Sequence, residues 1–176
     1  MPNEITDITY GIPAEVWPRD YSHVEHTLMF WRARSVPVKV TMEDGQVFNM
    51  YVQGTLQSRN KLDLSPVPGS KERRVRLPLQ RVSTIETIIP PEVDGGIVDR
   101  LTVHPDYVNN QPSRRDFFKI CRKAHNEQKS IRVYMVDGRE IEGVSLGVDA
   151  CQVTMKTGER GRTIVLFDWV ERIIPF

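Results

Sequence analysis

The sequence predicts a mainly β protein composed of two small, bent, five-stranded barrels, each preceded by an α-helix. The first observation is an internal repeat. Residues 38–48 align with residues 131–141 at an offset of 93, and residues 85–90 align with 170–175 at an offset of 85. The second is the period-two alternation of apolar residues that follows a helical segment in each copy. The third is an Asp-Gly pair at the same place in both copies, which is typical of a tight turn between strands.

A helix is predicted at the start of each copy. The first runs from Asp20 to about Arg32, and the second follows Ser113 and Asp116, which have the spacing of a capping box. Both helices have an apolar stripe at helical spacing, which indicates that they pack on the strands that follow. The stripes are Val24, Leu28 and Trp31 in the first copy and Phe117, Ile120, Cys121 and Ala124 in the second.

Five strands are predicted after each helix. Apolar residues alternate with other residues in the first strand, and the Asp-Gly turn leads into a longer second strand. Gly54 and Gly147 lie late in that second strand, where glycine permits the sharp bend that a small barrel needs. The predicted strand positions, apart from the second strands, are 36–42, 61–64, 73–79 and 82–89 in the first copy and 131–135, 152–155, 162–167 and 169–174 in the second.

The predicted elements divide the chain into four parts: an N-terminal extension at 1–19, a first domain at 20–90, a linker at 91–112 and a second domain at 113–176. The first domain is longer by about eight residues, which we assign to a Pro/Gly/Ser-rich turn at 65–72. The linker is acidic and rich in turn-forming residues, and its short apolar runs are compatible with one further strand.

Composition excludes several classes of protein. The 176 residues are 39% hydrophobic and 27% charged with a net charge of +1, so any basic site must be a local patch. There is no apolar run long enough to span a bilayer and no secretory signal pattern. The two cysteines are too few for a disulfide scaffold, which favours the reducing cytoplasm.

The pattern of one helix and five bent strands, with an Asp-Gly turn after strand one and an Ile-Ile-Pro end to strand five, resembles the Sm-like (SH3-like) fold. The second copy is most similar to the bacterial RNA chaperone family Hfq. The resembling residues of the second copy are 131–138, 141–143, 148–149 and 170–175, within a match from 116 to 175. The first copy is a more divergent match over 20–90.

The resemblance implies two Sm-like barrels, RNA as the partner, and a ring in which strand four of one unit pairs with strand five of the next. Because each chain would supply two units, three chains would complete a pseudo-hexameric ring. Tyr134 on strand one and Gly138 in the turn match RNA-contacting positions of the family, and Arg139 follows them in place of an apolar residue. The family's Tyr-Lys-His segment and the Arg-Gly pair of archaeal and eukaryotic relatives are missing from the corresponding residues, 166–168 and 81–83.

Two basic clusters favour contact with phosphate groups, because cations that neutralise phosphates release condensed counterions. One cluster lies on and before the second helix and comprises Arg114, Arg115, Lys119, Arg122 and Lys123. The other lies on strand four and in the turn before it, and includes Arg74 and Arg76. The alternative interpretations are a solvated helix face for the first cluster and a charged strand edge that blocks wrong pairing for the second.

No motif predicts catalysis, a cofactor or a metal site. The chain has neither a phosphate-cradling Gly-Lys-Ser/Thr loop nor a Gly-x-Ser-x-Gly elbow, so we expect a protein that is not an enzyme. His23 and His26 lie one helical turn apart, but a third metal ligand is not apparent. Buried positions are expected for both cysteines and for Phe30, Trp31, Phe117 and Phe118.

We therefore predict a cytoplasmic, ring-forming, RNA-binding protein that acts as a non-catalytic RNA chaperone or regulator. In this mechanism the helix-borne cations capture the RNA, and Tyr134 and the Gly138 turn contact its bases. The alternative is an Sm-like structural or protein-interaction scaffold that has lost RNA binding. A third class, a cyclic-dinucleotide receptor, is not supported, because its paired-arginine motif is missing.

Overall fold

The computed structural model describes residues 7–14, 19–56, 60–70, 74–93, 112–113 and 115–176, and within these ranges the protein is mainly β. Two helices are present there, Ser22–Ala33 (α1) and Phe118–Asn126 (α2). The same ranges contain twelve strands: Ile12–Pro13 (β1), Pro37–Met42 (β2), Val47–Leu56 (β3), Lys61–Ser65 (β4), Val75–Pro78 (β5), Val82–Thr87 (β6), Arg115–Asp116 (β7), Ser130–Met135 (β8), Glu140–Val148 (β9), Gln152–Thr157 (β10), Gly161–Leu166 (β11) and Val170–Pro175 (β12).

Ten strands form one sheet in the order β12-β8-β9-β10-β11-β6-β2-β3-β4-β5, and all its pairings are antiparallel. Each half of the chain contributes five adjacent strands. Within a half, the fifth strand lies beside the first, and the second, third and fourth follow. The pairing register shifts at the same place in both long second strands, between Val52 and Gly54 in β3 and between Ser145 and Gly147 in β9.

The two halves are joined through β6, which pairs with β2 on one side and with β11 of the second half on the other. Ile85 of β6 lies opposite Ile164 of β11. The hydroxyl of Thr87 accepts a hydrogen bond from the backbone N–H of Arg162 at 3.0 Å. The junction is therefore a continuation of the sheet.

The prediction of two five-stranded barrels is not confirmed. In the described residues neither half closes on itself, because the fourth and fifth strands of one half do not pair with each other. The fifth strand of the first half pairs instead with the fourth strand of the second half. The outer strands of the sheet are therefore β5 and β12.

The core continues through both halves, and each helix packs on the long strand of its own half. The predicted apolar stripes are buried, including Leu28 in α1 and Cys121 in α2. Burial raises the pKa of the Cys121 thiol to about 12, and Cys151 is also buried. The predicted capping box does not form, because the hydroxyl of Ser113 donates to a carbonyl oxygen before β12. Asp116, the residue before the N-cap Phe117, accepts from the N–H of Phe118 at 2.8 Å.

The N-terminal segment packs on the second half of the chain, although α1 belongs to the first. Strand β1 pairs with β7, with Ile12 opposite Asp116. Arg19 then forms a buried ion pair with Asp168 at 2.9 Å and donates to the carbonyl oxygen of Ala150 at 3.0 Å. In the described residues no helix is both long and apolar enough to cross a membrane.

Candidate functional site

The predicted site residues lie on three elements: α2 with the strand before it, the β8–β9 hairpin, and the β4–β5 pair. Arg114 and most of the predicted linker lie outside the described residues. The remaining predicted cations differ in whether the charged group already binds another residue of the protein.

The cations of α2 are exposed and form one face of the helix. Lys119, Arg122 and Lys123 are spaced at i, i+3 and i+4, which places them together beside the buried stripe. In the part of the chain that the structure describes, none of the three forms an ion pair. We call these residues the α2 cationic face. These three residues line an open cavity of about 530 Å³, which Phe118 and Asn126 also line.

Phe118 gives this face an aromatic surface. Its ring is partly exposed, and the guanidinium of Arg122 lies over it at 5.6 Å from the ring centroid. The prediction that Phe118 is buried is therefore only partly met, whereas Phe117 is fully buried. The same prediction is wrong for Phe30 of α1, which is 50% exposed beneath Arg34 at 3.6 Å.

Arg76 on β5 and Arg74, the residue before β5, lie beside the same acidic residue. Arg76 donates to the carboxylate of Asp63 at 2.8 Å, and Arg74 lies 3.9 Å from the same carboxylate. The hydrogen bond to Asp63 raises the pKa of Arg76 above its ordinary value. Asp63 is 6% exposed. This geometry fits a structural ion pair on the outer strand better than a free cationic patch.

The β8–β9 hairpin uses its arginine to hold the two halves together. Gly138 has a φ of +93°, which the turn requires and which glycine adopts without strain. Arg139 donates to Asp137 in the turn, and it also donates to Ser83 and Thr84 of β6, each at 2.8 Å. Its guanidinium is thus largely used inside the protein. Tyr134 is half-buried on β8.

Two contacts attach the N-terminal segment to the second half. One comes from Arg115, and the other is the buried Arg19–Asp168 ion pair, which the sequence did not predict. Arg115 belongs to β7, and its guanidinium lies 3.5 Å from the carbonyl oxygen of Gly11. Its own carbonyl oxygen accepts from Arg19, at 2.6 Å. The side chains of Arg19 and Asp168 are both 4% exposed. No sequence pattern indicates the Arg19–Asp168 pair, because the two residues are distant along the chain and neither lies in a recognisable motif.

Comparison with known proteins identifies the chain's relatives. A family model described as "Repressor of phase-1 flagellin" matches residues 7–173. Two proteins named "Repressor of phase 1 flagellin gene", from Salmonella abony and Salmonella typhimurium strain LT2, are each 34% identical over 173 residues. A third with the same name, from Salmonella abortus-equi, is 33% identical. Each alignment covers 96% of this chain and 93% of the relative.

These matches overturn the predicted Sm-like and Hfq-like identity. The expected function as an RNA-binding ring chaperone was wrong, and the alternative of an Sm-like scaffold gains no support either. The predicted RNA partner and the ring of three chains rested on that resemblance and are withdrawn with it. The resemblance misled because apolar alternation and Asp-Gly turns specify a strand arrangement, which unrelated functions can share. A match over nearly the whole chain shows instead that it belongs to the family of repressors of phase-1 flagellin.

Proposed function

We propose that the chain is a non-enzymatic regulator that represses expression of a flagellin gene. The observation that supports this is the family match over residues 7–173, together with the shared name of relatives that align along 93% of their own length. A regulator of this kind works where the gene is expressed, so we place its action in the cytoplasm.

The α2 cationic face is the surface that we propose for contact with nucleic-acid phosphate groups. Lys119, Arg122 and Lys123 are exposed and have no carboxylate partner among the described residues. The other predicted cations, Arg76 and Arg139, are already engaged by Asp63 and by the turn and β6. An unpaired cation gains more from a phosphate than a paired one, because no existing ion pair has to break.

A reporter assay tests the regulatory role. The reporter is fused to the flagellin gene of the organism that encodes the chain, and both transcript and reporter protein are measured with and without the chain. We expect lower reporter protein when the chain is present, and the transcript level tells at which step repression acts. Unchanged reporter protein would contradict the proposal.

Charge-removing variants test the proposed surface. Replacing the three cations of the α2 cationic face by glutamine should abolish repression and advance elution from a heparin column, because heparin is a polyanion. The matched control removes three exposed arginines that are already paired with acidic residues, Arg74, Arg76 and Arg81. Equal effects of the two triple variants would show that total charge, and not this face, is responsible. A cooperative thermal unfolding transition should show that both triple variants are folded.

We further propose that residues 20–90 and 113–176 are two bent five-stranded units, with 1–19 as an extension and 91–112 as a linker. The shared strand order of the halves supports this division. Limited proteolysis should cut first within 91–112 and leave two fragments that remain associated through β6 and β11. A first cut inside either unit would refute the proposed boundaries.

A further inference from the structure

The outward sides of α1 and α2 differ in chemistry, although the two helices hold equivalent places in their halves. Each helix packs on the long strand of its own half. The offset of 93 that aligns β2 with β8 also aligns the buried stripes of the two helices. On α2, the outward positions hold the α2 cationic face. The equivalent positions of α1 hold Met29 and Phe30, where α2 has Arg122 and Lys123.

The outward residues of α1 form a continuous stripe along the helix. Met29 is 36% exposed and Phe30 is 50% exposed. His26 precedes them and Ala33 follows them on the same side of the helix, and both are exposed as well. Because α2 has cations at the equivalent positions, packing within the fold does not require apolar side chains there. We call His26, Met29, Phe30 and Ala33 the α1 outer stripe.

A cavity of about 280 Å³ continues the α1 outer stripe at the C-terminal end of the helix. Ala33 lines this cavity, together with β3 and with Pro68 and Gly69 of the β4–β5 connection. That connection spans 66–74, whereas the equivalent β10–β11 connection spans only 158–160. The apolar residues and the longer connection both distinguish the first half from the second, and they meet here. A pocket beside an apolar surface is where an anchoring side chain of a protein partner inserts.

The charges around the α1 outer stripe are positive. Arg32 and Arg34 lie at the C-terminal end of α1, and neither forms an ion pair with a residue that the structure describes. The guanidinium of Arg34 lies 3.6 Å from the ring centroid of Phe30. The one carboxylate within α1 belongs to Glu25, which is buried. A second copy of the stripe would bring like charges together, so the pattern favours a partner with negative charge.

We propose that the α1 outer stripe docks an acidic amphipathic helix of another protein. The apolar side of that helix packs on Met29 and Phe30, and one of its apolar side chains enters the cavity beside Ala33. Carboxylates along its edge pair with Arg32 and Arg34. Since α1 has 12 residues, a partner helix of about three turns covers its length. This docking is separate from the contact that the α2 cationic face makes with phosphate groups.

Titration of the full chain into a fluorescein-labelled synthetic peptide tests the proposal. The peptide has leucine at i, i+3, i+4 and i+7 spacing and glutamate at its other positions, over about four helical turns. We expect a saturable rise in fluorescence anisotropy with a dissociation constant below about 1 mM. Amide NMR shifts should fall on α1 and on residues 66–70. A peptide with lysine in place of every glutamate should bind about tenfold more weakly, because attraction by Arg32 and Arg34 becomes repulsion.

Three results of this titration would overturn the proposal. They are the lack of saturable binding up to about 1 mM, equal binding of the two peptides, and NMR shifts that are confined to α2.

A double variant separates apolar contact from general charge attraction. Met29→Arg with Phe30→Lys introduces the residue types that α2 has at these positions, so we expect it to fold. It should weaken binding of the glutamate peptide by about tenfold, although it adds two positive charges. The matched control, Val144→Arg with Leu146→Lys, makes the same kind of change on β9, where these residues are 39% and 43% exposed. If the first double variant does not fold, Ala33→Glu replaces it and should weaken binding by about two- to fivefold.

The control variant should bind the glutamate peptide as the wild type does. Unchanged or tighter binding by a folded α1 variant would overturn the proposal, and so would an equal loss in the control.

The same α1 variant distinguishes two other occupants of the stripe. Phosphatidylglycerol vesicles that bind the wild type but not the Met29→Arg, Phe30→Lys variant would assign the stripe to a lipid surface. A mass of two chains in solution that falls to one chain in this variant would assign it to a second copy. We expect neither result, and either would overturn the proposal. Peptide binding is measured without repression, so its failure would leave the proposed repression untouched.

Discussion

Replacing Glu25 by leucine should stabilise the protein at neutral pH. Glu25 lies in the first turn of α1 and is 3% exposed, and one of its carboxylate oxygens has no hydrogen-bond partner. A buried polar group without a partner costs about 1–3 kcal/mol. Leucine removes this group and has similar helix propensity. We therefore expect Glu25→Leu to raise the free energy of unfolding by about 1–3 kcal/mol at pH 7.

The gain should depend on pH in a defined direction. Burial, and secondarily the charge of Asp20, raise the pKa of Glu25 above its ordinary value of 4.5. The folded state thus holds the proton more tightly than the unfolded state does. Glu25 contributes stability below its ordinary pKa, and that contribution is lost as pH rises through the raised pKa of the folded state. The advantage of Glu25→Leu should grow over this window and then level off.

Urea unfolding of the wild type and the variant between pH 4 and 8 measures both effects. Glu171→Leu, at an exposed carboxylate on β12, is the control and should change stability by no more than about 0.5 kcal/mol. The reasoning fails if Glu25→Leu is less stable than the wild type at pH 7. It also fails if the difference between the two proteins does not change with pH.

Three further substitutions test how the halves and strands are held. Arg19→Met should lower the free energy of unfolding in urea by about 3–5 kcal/mol, because it removes the charge that faces the buried carboxylate of Asp168. Arg139→Met should cost about 1–3 kcal/mol, since two buried hydroxyls lose a donor, and an unchanged urea midpoint would contradict its role at the junction. Gly143→Ala should cost about 2 kcal/mol or more, because its Cβ would collide with a backbone carbonyl of β10. Gly147→Ala, whose Cβ meets nothing within 4 Å, is the control and should melt close to the wild type.

Local patterns in the sequence were sufficient to predict the helices and most strands of the sheet. Apolar alternation in β8 placed Ile131, Val133 and Met135 inside, and all three are buried. The same rule expects Thr41 of β2 on the outer face, but it is only 6% exposed. Alternation reports which residues share a face of a strand. It contains no information about what covers that face.

The candidate site was predictable only in part, since the presence of a charged residue in the sequence does not show which residue it will pair with in the fold. The sequence predicted a basic cluster on and before α2. Its members Lys119, Arg122 and Lys123 are exposed on α2, whereas Arg115 lies on β7. The same reasoning could not separate them from Arg76, whose partner Asp63 is on the neighbouring strand. Nor could local patterns identify the family, because a strand order can be shared by proteins with different functions.

The position of the N-terminal segment constrains the order in which parts of the chain can fold. Residues 7–14 and Arg19 are synthesised before α1, yet their partners are β7, Asp168 and Arg172, which belong to the second half. These contacts can form only after the second half has been made, when α1 and the five strands of the first half are already available to pack. Docking of residues 7–14 should therefore follow synthesis of β12, and chains truncated before β12 should keep these residues accessible to proteases.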